Sequence, residues 1–284
     1  MSEEKSIFIN QAMTPSDREV VYLYCLTGSN INRAFNVLGI NSRNPVFMHG
    51  YNGIEAAISM VPFNEFCGAD AETKMQDLAW VGPRACRHEE IIEYIMDQAP
   101  VFPVSFGTLF TSISKLENTI SANHEAIIEF LDWMNDKEEW SVKALIEMKK
   151  VKHRLFSQIL KKNSARLSTL TKGVRYFEEQ RLRNGIDREL KLWINDAIGC
   201  ILKTMNDCTI DFKERRVIDC SNDDNEMKVI RNWAFLIKRN FISAFNEIVA
   251  GINTEYKSRG LELELSGPWP PYSFVPSITR ESQP

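Results

Sequence analysis

The sequence has no closely spaced cysteine pair, no glycine-rich loop and no long hydrophobic run. Its six cysteines are scattered over 284 residues without a C-x-x-C motif, which excludes a disulfide scaffold and predicts reduced thiols inside a cell. The densest apolar run, Trp233–Ile237, is far too short to cross a bilayer. The polar, acidic first residues are not expected to act as a signal peptide. These absences together predict a cytoplasmic protein that uses no lipid membrane.

Excess positive charge is also absent, since the formal net charge is -4. A mildly acidic chain has no general attraction to phosphate backbones, and the aromatic string of an RNA-binding ferredoxin-like sheet is missing, so no nucleic acid partner is expected. The segment Ser105–Thr108 lacks the lysine of a phosphate-binding loop, and no cofactor is expected. The hydrophobic fraction of 44% and the charged fraction of 25% are typical of globular domains.

The first half of the chain reads as an α+β domain. Residues 19–26 are rich in β-branched and aromatic side chains, which predicts a strand. Asn52 and Gly53 separate the apolar runs 45–51 and 54–61, and this pair predicts a tight hairpin because both turn residues accept positive φ. Helices are expected over 71–78, from Pro83 to about Gln98 and over 116–134, with an interrupted edge strand over 99–110.

In the second half of the chain, the predicted strands and helices follow a different order from those of the first half. A strand over 140–147 is followed by a lysine-rich helical region over 149–183, broken by Gly173, and by an apolar helical stripe over 190–205. Two strands (208–220 and 227–237), a helix (241–252) and a last strand (261–265) complete it. This βαββαβ order is that of a ferredoxin-like domain with an inserted helix. The expected domains are therefore residues 1–137 and 138–265, followed by an extended tail, 266–284.

The tail combines prolines with aromatic side chains. Its prolines exclude a helix or a central strand and favour an extended, polyproline-like backbone. Such an apolar segment is expected to dock on its own domain or on a partner, with only residues 277–284 as a disordered end. The candidate contact residues are Gly267, Pro268, Trp269, Pro270, Pro271, Tyr272 and Phe274.

Reactive side chains give only weak candidates. Cys86 and His88 form the most reactive-looking cluster, but residues two apart on a helix point in different directions, so buried packing with an ion-pair network at the helix start is favoured over a nucleophile and its base. The four histidines lie in four different elements without ligand spacing, which predicts no metal site. No catalytic set emerges, and the chain is not expected to be an enzyme.

Several blocks, in this order, resemble the gas vesicle accessory proteins of the GvpF/GvpL family. The resemblance is carried by residues 22–24, 56–63, 65–66, 81–89, 99–110, 140–143, 260–263 and 267–274, the last reading GPWPPYSF. It implies two α+β domains, the second ferredoxin-like, no known enzymatic activity, and a role in building hollow gas-filled shells. Arg84 and His88 are carried over as matched positions of unassigned role. The lysine-rich region matches no block.

Two functions follow from this resemblance as hypotheses. The first is an assembly factor that binds the hydrophobic shell protein or other accessory proteins, through an open sheet edge or through the aromatic tail. The second is a minor structural component retained at the vesicle surface. An enzyme that uses Cys86 and His88 is the third, less favoured alternative. The sequence does not predict the oligomeric state.

Overall fold

The protein, described here by a computed structural model, is a mixed α+β chain with two antiparallel sheets. The structure describes residues 19–28, 37–67, 71–217 and 227–278. The chain divides into two compact units, of which unit 1 comprises residues 1–135 with 270–284 and unit 2 comprises residues 136–269. The sequence placed the corresponding boundaries at 137/138 and 265/266. In the described ranges no helix is both long enough and apolar enough to span a membrane.

Unit 1 is organised by a sheet in which the first strand is central. Its five strands are β1 (Glu19–Gly28), β2 (Phe47–Tyr51), β3 (Ile54–Pro62), β4 (Val101–Pro103) and β5 (Leu109–Phe110). The strand order is β2-β3-β1-β4, and β5 also pairs with β1. Asn52 and Gly53 have φ of 50° and 79° in the β2–β3 turn, which confirms the predicted hairpin. The interrupted strand over 99–110 is confirmed as β4 and β5.

In the described part of unit 1, the helices that accompany this sheet are α1 (Phe63–Phe66), α2 (Ala71–Gln76), α3 (Leu78–Met96), α4 (Ile113–Ala122) and α5 (His124–Met134). The prediction that Pro83 opens α3 was wrong, because Asp77 caps the helix by accepting a hydrogen bond from the Ala79 N–H, and Pro83 lies within the first turns. Ile91 and Ile92 of α3 join a core cluster with Tyr22 and Tyr24 of β1. Apolar side chains thus bury β1 along most of its length.

Unit 2 has a four-stranded sheet formed by β6 (Lys137–Ile146), β7 (Asp211–Arg215), β8 (Lys228–Lys238) and β9 (Leu261–Trp269). The strand order is β7-β8-β6-β9, and every neighbouring pair is antiparallel. The strand predicted over 208–220 corresponds to β7, which is shorter than expected and covers only Asp211–Arg215. The residues between the two predicted strands, 221–226, lie outside the part of the chain that the structure describes.

Among the residues of unit 2 that the structure describes, the helices after β6 are α6 (Met148–Lys162), α7 (Ser164–Ser168), α8 (Lys172–Asn184) and α9 (Ile186–Asn206), and α10 (Ile242–Tyr256) follows β8. α9 and α10 bury apolar side chains such as Ile201 and Phe245 in one cluster with Trp233 and Phe235 of β8. The lysine-rich region is not broken at Gly173, which lies inside α8; its breaks are at residue 163 and residues 169–171. α6, α7 and α8 lie between β6 and α9 in the chain.

Candidate functional site

Arg84 on α3 holds two helices together. Its Nη2 lies 2.8 Å from Glu65 Oε1 on α1, and its Nη1 donates to the Trp80 carbonyl oxygen. The guanidinium also lies over the Trp80 ring, 4.1 Å from the centroid. With its hydrogen-bonding groups occupied in this way, Arg84 organises the start of α3 rather than presenting a free cation.

His88, one turn further along α3, lies in a buried hydrogen-bond network. Its Nε2 is 3.0 Å from the carbonyl oxygen of Val104, which only accepts, so Nε2 carries the proton. Its Nδ1 therefore accepts from the Tyr22 hydroxyl at 3.0 Å. The same hydroxyl accepts from the Gly107 N–H at 3.0 Å. The network fixes the imidazole tautomer and links β1, α3 and the segment between β4 and β5.

Burial keeps this network uncharged. It lowers the pKa of His88 from 6.5 to about 4, against a smaller opposing effect of the hydrogen bond to Val104. It raises the pKa of Tyr22 and, to about 12, that of Tyr24. The expected burial of Cys86 was wrong, because this residue is exposed, whereas both ring nitrogens of His88 are already bonded inside the core. The two side chains therefore do not form a nucleophile–base pair, and the described residues include no group of three metal-ligating side chains.

The end of the chain packs within unit 1. Pro270, Pro271 and Phe274 are buried, and the Phe274 ring lies 6.2 Å from that of Trp133 on α5. The Tyr272 hydroxyl donates to Glu89 Oε2 at 3.0 Å. Burial raises the pKa of Glu89, and the Tyr272 hydrogen bond offsets part of that rise. We call residues 270–278 the strap.

The preceding residues of the same sequence block belong to unit 2. Gly267, Pro268 and Trp269 end β9, where Trp269 pairs with Glu139 of β6. Gly267 has φ of 144°, and a Cβ atom there would lie 3.1 Å from the Glu139 carbonyl oxygen, so glycine is required. Trp269 is 37% exposed and bonds only locally, from Nε1 to Ser266 Oγ at 3.1 Å. The buried aromatic of the block is thus Phe274 rather than Trp269.

In unit 1, β2 lies at an edge of the described sheet and contains no lysine, arginine, aspartate or glutamate, and its His49 Nε2 lies 3.0 Å from Glu117 Oε1 on α4. The strand pairs with β3 on one side, has the sequence FMHGY, and leaves Phe47 38% exposed. Tyr51 and Ile54 flank a two-residue turn and therefore form a hydrogen-bonded pair. Hydrogen-bonded and non-hydrogen-bonded positions alternate along an antiparallel strand, so the backbone N–H and C=O groups of Met48 and Gly50 point away from β3. Such groups form a template for another strand.

The edges of the unit 2 sheet are protected. On β9, the Asn253 side chain donates to the Leu263 carbonyl oxygen at 2.9 Å and accepts from the Leu263 N–H at 2.7 Å, which occupies the edge backbone. The other edge, β7, has the sequence DFKER, and charged edge strands resist pairing. Arg215 at its end forms an ion pair with the buried Glu139. β2 therefore differs from both.

The sequence of residues 20–276 matches the family "Gas vesicle synthesis protein GvpL/GvpF". The chain belongs to this family. Gas vesicle protein L from Streptomyces sp. (strain CB03234) is 24% identical over 239 residues, covering 84% of this chain and 85% of that protein. Gas vesicle protein L1 from Halobacterium salinarum is 22% identical over 296 residues, covering 98% of this chain and 97% of that protein.

Two crystal structures of family members have the same fold. GvpF from Anabaena sp. PCC7120 aligns with a TM-score of 0.68 at 17% identity, covering 92% of this chain and 100% of that one. GvpF from Microcystis aeruginosa aligns with a TM-score of 0.63 at 18% identity, covering 91% of this chain and 99% of that one. The resemblance read from the sequence is confirmed, and the chain is a gas vesicle protein of the GvpL/GvpF type.

Proposed function

We propose that this chain acts in gas vesicle formation as a non-catalytic assembly factor that binds the hydrophobic shell protein or another accessory protein in the cytoplasm. Family membership supports the pathway. The observation that supports the binding mode is the β2 edge, which has no lysine, arginine, aspartate or glutamate and is paired on one side with β3. A partner strand added to β2 would gain main-chain hydrogen bonds and cover the exposed Phe47 ring.

The contrast between the sheet edges favours β2 over the other candidates. A charged strand such as β7 disfavours strand addition, and the Asn253 amide already occupies the β9 backbone at Leu263. The tail, the other surface considered from sequence, uses its buried residues Pro270, Pro271 and Phe274 for packing in unit 1. We therefore assign Arg84, His88 and the strap a structural role.

We further infer that unit 2 is a ferredoxin-like domain. The order β7-β8-β6-β9, numbered within the unit, is 2-3-1-4, as the split βαβ arrangement requires. α9 and α10 are its two crossover helices, and α6–α8 are an insertion after the first strand. In this assignment the Pro/aromatic end of β9 is the last element of the domain.

A proline substitution in β2 tests the proposal. Gly50→Pro removes one outward N–H without removing a donor to β3, whereas Gly50→Ala adds a methyl group and keeps the N–H. In pull-downs from cells that co-express the shell protein and the accessory proteins, we expect Gly50→Pro to lower capture about tenfold. Gly50→Ala should capture as the wild type does.

Unchanged capture by a folded Gly50→Pro variant would contradict strand addition at β2. Purified vesicles washed with denaturant separate the assembly factor from a retained wall component, because a transient factor should be absent after washing. Persistence of the chain in the washed wall would overturn the assembly-factor proposal.

A further inference from the structure

Basic residues are concentrated in the α6–α8 insertion. Residues 148–184 contain 11 of the 34 lysines and arginines of the chain but only 2 of its 38 acidic residues. The chain as a whole has a net charge of -4, so the remaining sequence is strongly acidic. The basic region of one copy is therefore attracted to the acidic regions of another copy.

α8 buries none of its residues. A helix of 13 residues is marginal in isolation, and the exposed ion pairs Arg166–Glu178 and Arg175–Glu179 each contribute little. The helix also exposes apolar side chains, with Val174 50% and Phe177 72% exposed and the Tyr176 ring 5.8 Å from that of Phe177. A helix with these properties gains stability from a partner that covers its apolar side.

Val174, Phe177 and Arg181 follow one another at i, i+3 and i+7 and form one side of the helix, which we call the α8 face. The Arg181 side chain is 81% exposed and makes a long ion pair, 3.6 Å, with Glu178. The α8 face thus presents an aliphatic group, an aromatic ring and a guanidinium in a row.

α3 presents an aromatic ring between two carboxylates, which complements the aromatic ring and the guanidinium of the α8 face. Glu90, Tyr94 and Asp97 lie at i, i+4 and i+7, and we call this side of the helix the α3 face. The Tyr94 ring is 45% exposed, and the Glu90 side chain is 59% exposed and accepts a hydrogen bond from Arg87 Nη1 at 2.9 Å. Burial, followed by the nearby charges of Asp97 and Glu90, raises the pKa of Glu93 between them, which marks a surface with crowded carboxylates.

We propose that the α8 face of one copy of this chain docks on the α3 face of a second copy. Phe177 packs against the ring of Tyr94, and Arg181 lies among the carboxylates of the α3 face. Glu178 and Glu179 on α8 disfavour a nucleic acid as the occupant, because they would repel its phosphates. This contact uses neither the β2 edge nor any residue on it, so it is independent of the function proposed above.

Sedimentation velocity of the full-length chain tests the contact. We expect self-association at about 0.1 M salt and dissociation at about 1 M salt, where the screening length falls from about 10 Å to about 3 Å. Phe177→Glu should weaken self-association at least about tenfold, because it places a carboxylate opposite an acidic face. Phe241→Glu is the matched control, since Phe241 is 44% exposed in the same unit and the charge change is the same.

A charge exchange identifies the partner face. Arg181→Glu and Asp97→Arg should each weaken self-association, and the double variant should restore it. A chain that stays monomeric at both salt concentrations would overturn the proposal. Equal effects of Phe177→Glu and Phe241→Glu would overturn it as well, as would a monomer that binds duplex DNA through Arg181.

Discussion

Unit 1 and unit 2 differ in one buried polar network and in the edges of their sheets. In unit 1, the neutral side chains of Tyr22 and His88 satisfy one another inside the core, and β2 lies at an edge of the described sheet. Unit 2 pairs its buried Glu139 with Arg215 and occupies the β9 edge with the Asn253 amide. The comparison supports the proposal that strand addition takes place in unit 1, because Asn253 caps Leu263 of β9 and charged residues line β7 in unit 2.

The largest expected effect concerns the strap. Phe274→Ala removes a buried ring from unit 1 and should lower the free energy of unfolding by about 4 kcal/mol. Trp269→Ala, at the exposed end of β9 in unit 2, should lower it by about 1 kcal/mol. Urea denaturation of both variants checks this. A larger loss for Trp269→Ala would mean that the block anchors unit 2 instead.

The neutral network should make the protein sensitive to acid. His88 is uncharged when folded, because its pKa is about 4 there and 6.5 when unfolded. As the pH falls from about 6.5 to about 4, the unfolded chain takes up a proton that the folded chain does not, so stability decreases by up to about 3 kcal/mol. Urea denaturation across this range measures the loss.

His88→Gln is the control for that experiment, because the amide does not titrate. It should be less stable than the wild type at pH 7 and should show a smaller decrease in acid. An equal pH dependence in the two proteins would show that other groups, in either unit, dominate the acid response.

A smaller effect is expected at the β9 edge. Asn253→Ala removes both hydrogen bonds to Leu263 and should lower the free energy of unfolding by about 1 kcal/mol, while increasing aggregation during refolding. Asn246→Ala, on the same helix, removes a bond within α10 and should change little. Thermal denaturation and light scattering measure both quantities. Equal behaviour of the two variants would remove the distinction between the β9 and β2 edges.

The smallest effect belongs to Cys86. Cys86→Ser should change stability by less than about 0.5 kcal/mol and leave vesicle formation intact, because the thiol is exposed and His88 is engaged elsewhere. Loss of vesicles with an unchanged melting temperature would restore the hypothesis of a Cys/His-dependent enzyme.

Local signals made much of the fold predictable. The Asn52-Gly53 turn and the alternation in β6 require only short-range rules, and both are present in the structure. The start of α3 was misplaced because the cap at Asp77 lies upstream of a proline that usually marks the first turn. Propensity alone did not show which of the two signals would define the helix start.

The contacts within the candidate site were harder to predict from the sequence than the fold was. His88 meets Tyr22, which is 66 positions away, and Tyr272 meets Glu89, which is 183 positions away, so no spacing rule joins them. The GPWPPYSF block was expected to act as one tail, yet its residues divide between β9 and the strap. The β2 edge was not singled out either, because an edge is defined by which strands pair and not by composition.

The division of the chain at Trp269 also sets an order of events during synthesis. Unit 2 is an insertion in the sequence of unit 1, and its two ends are joined by the pairing of Glu139 with Trp269. The strap leaves the ribosome after every residue of unit 2. Unit 1 begins before unit 2 in the sequence but is completed after it, so β2 is synthesised well before Phe274 packs into unit 1. Under the strand addition proposed above, β2 is therefore available to a partner while the chain is still being translated.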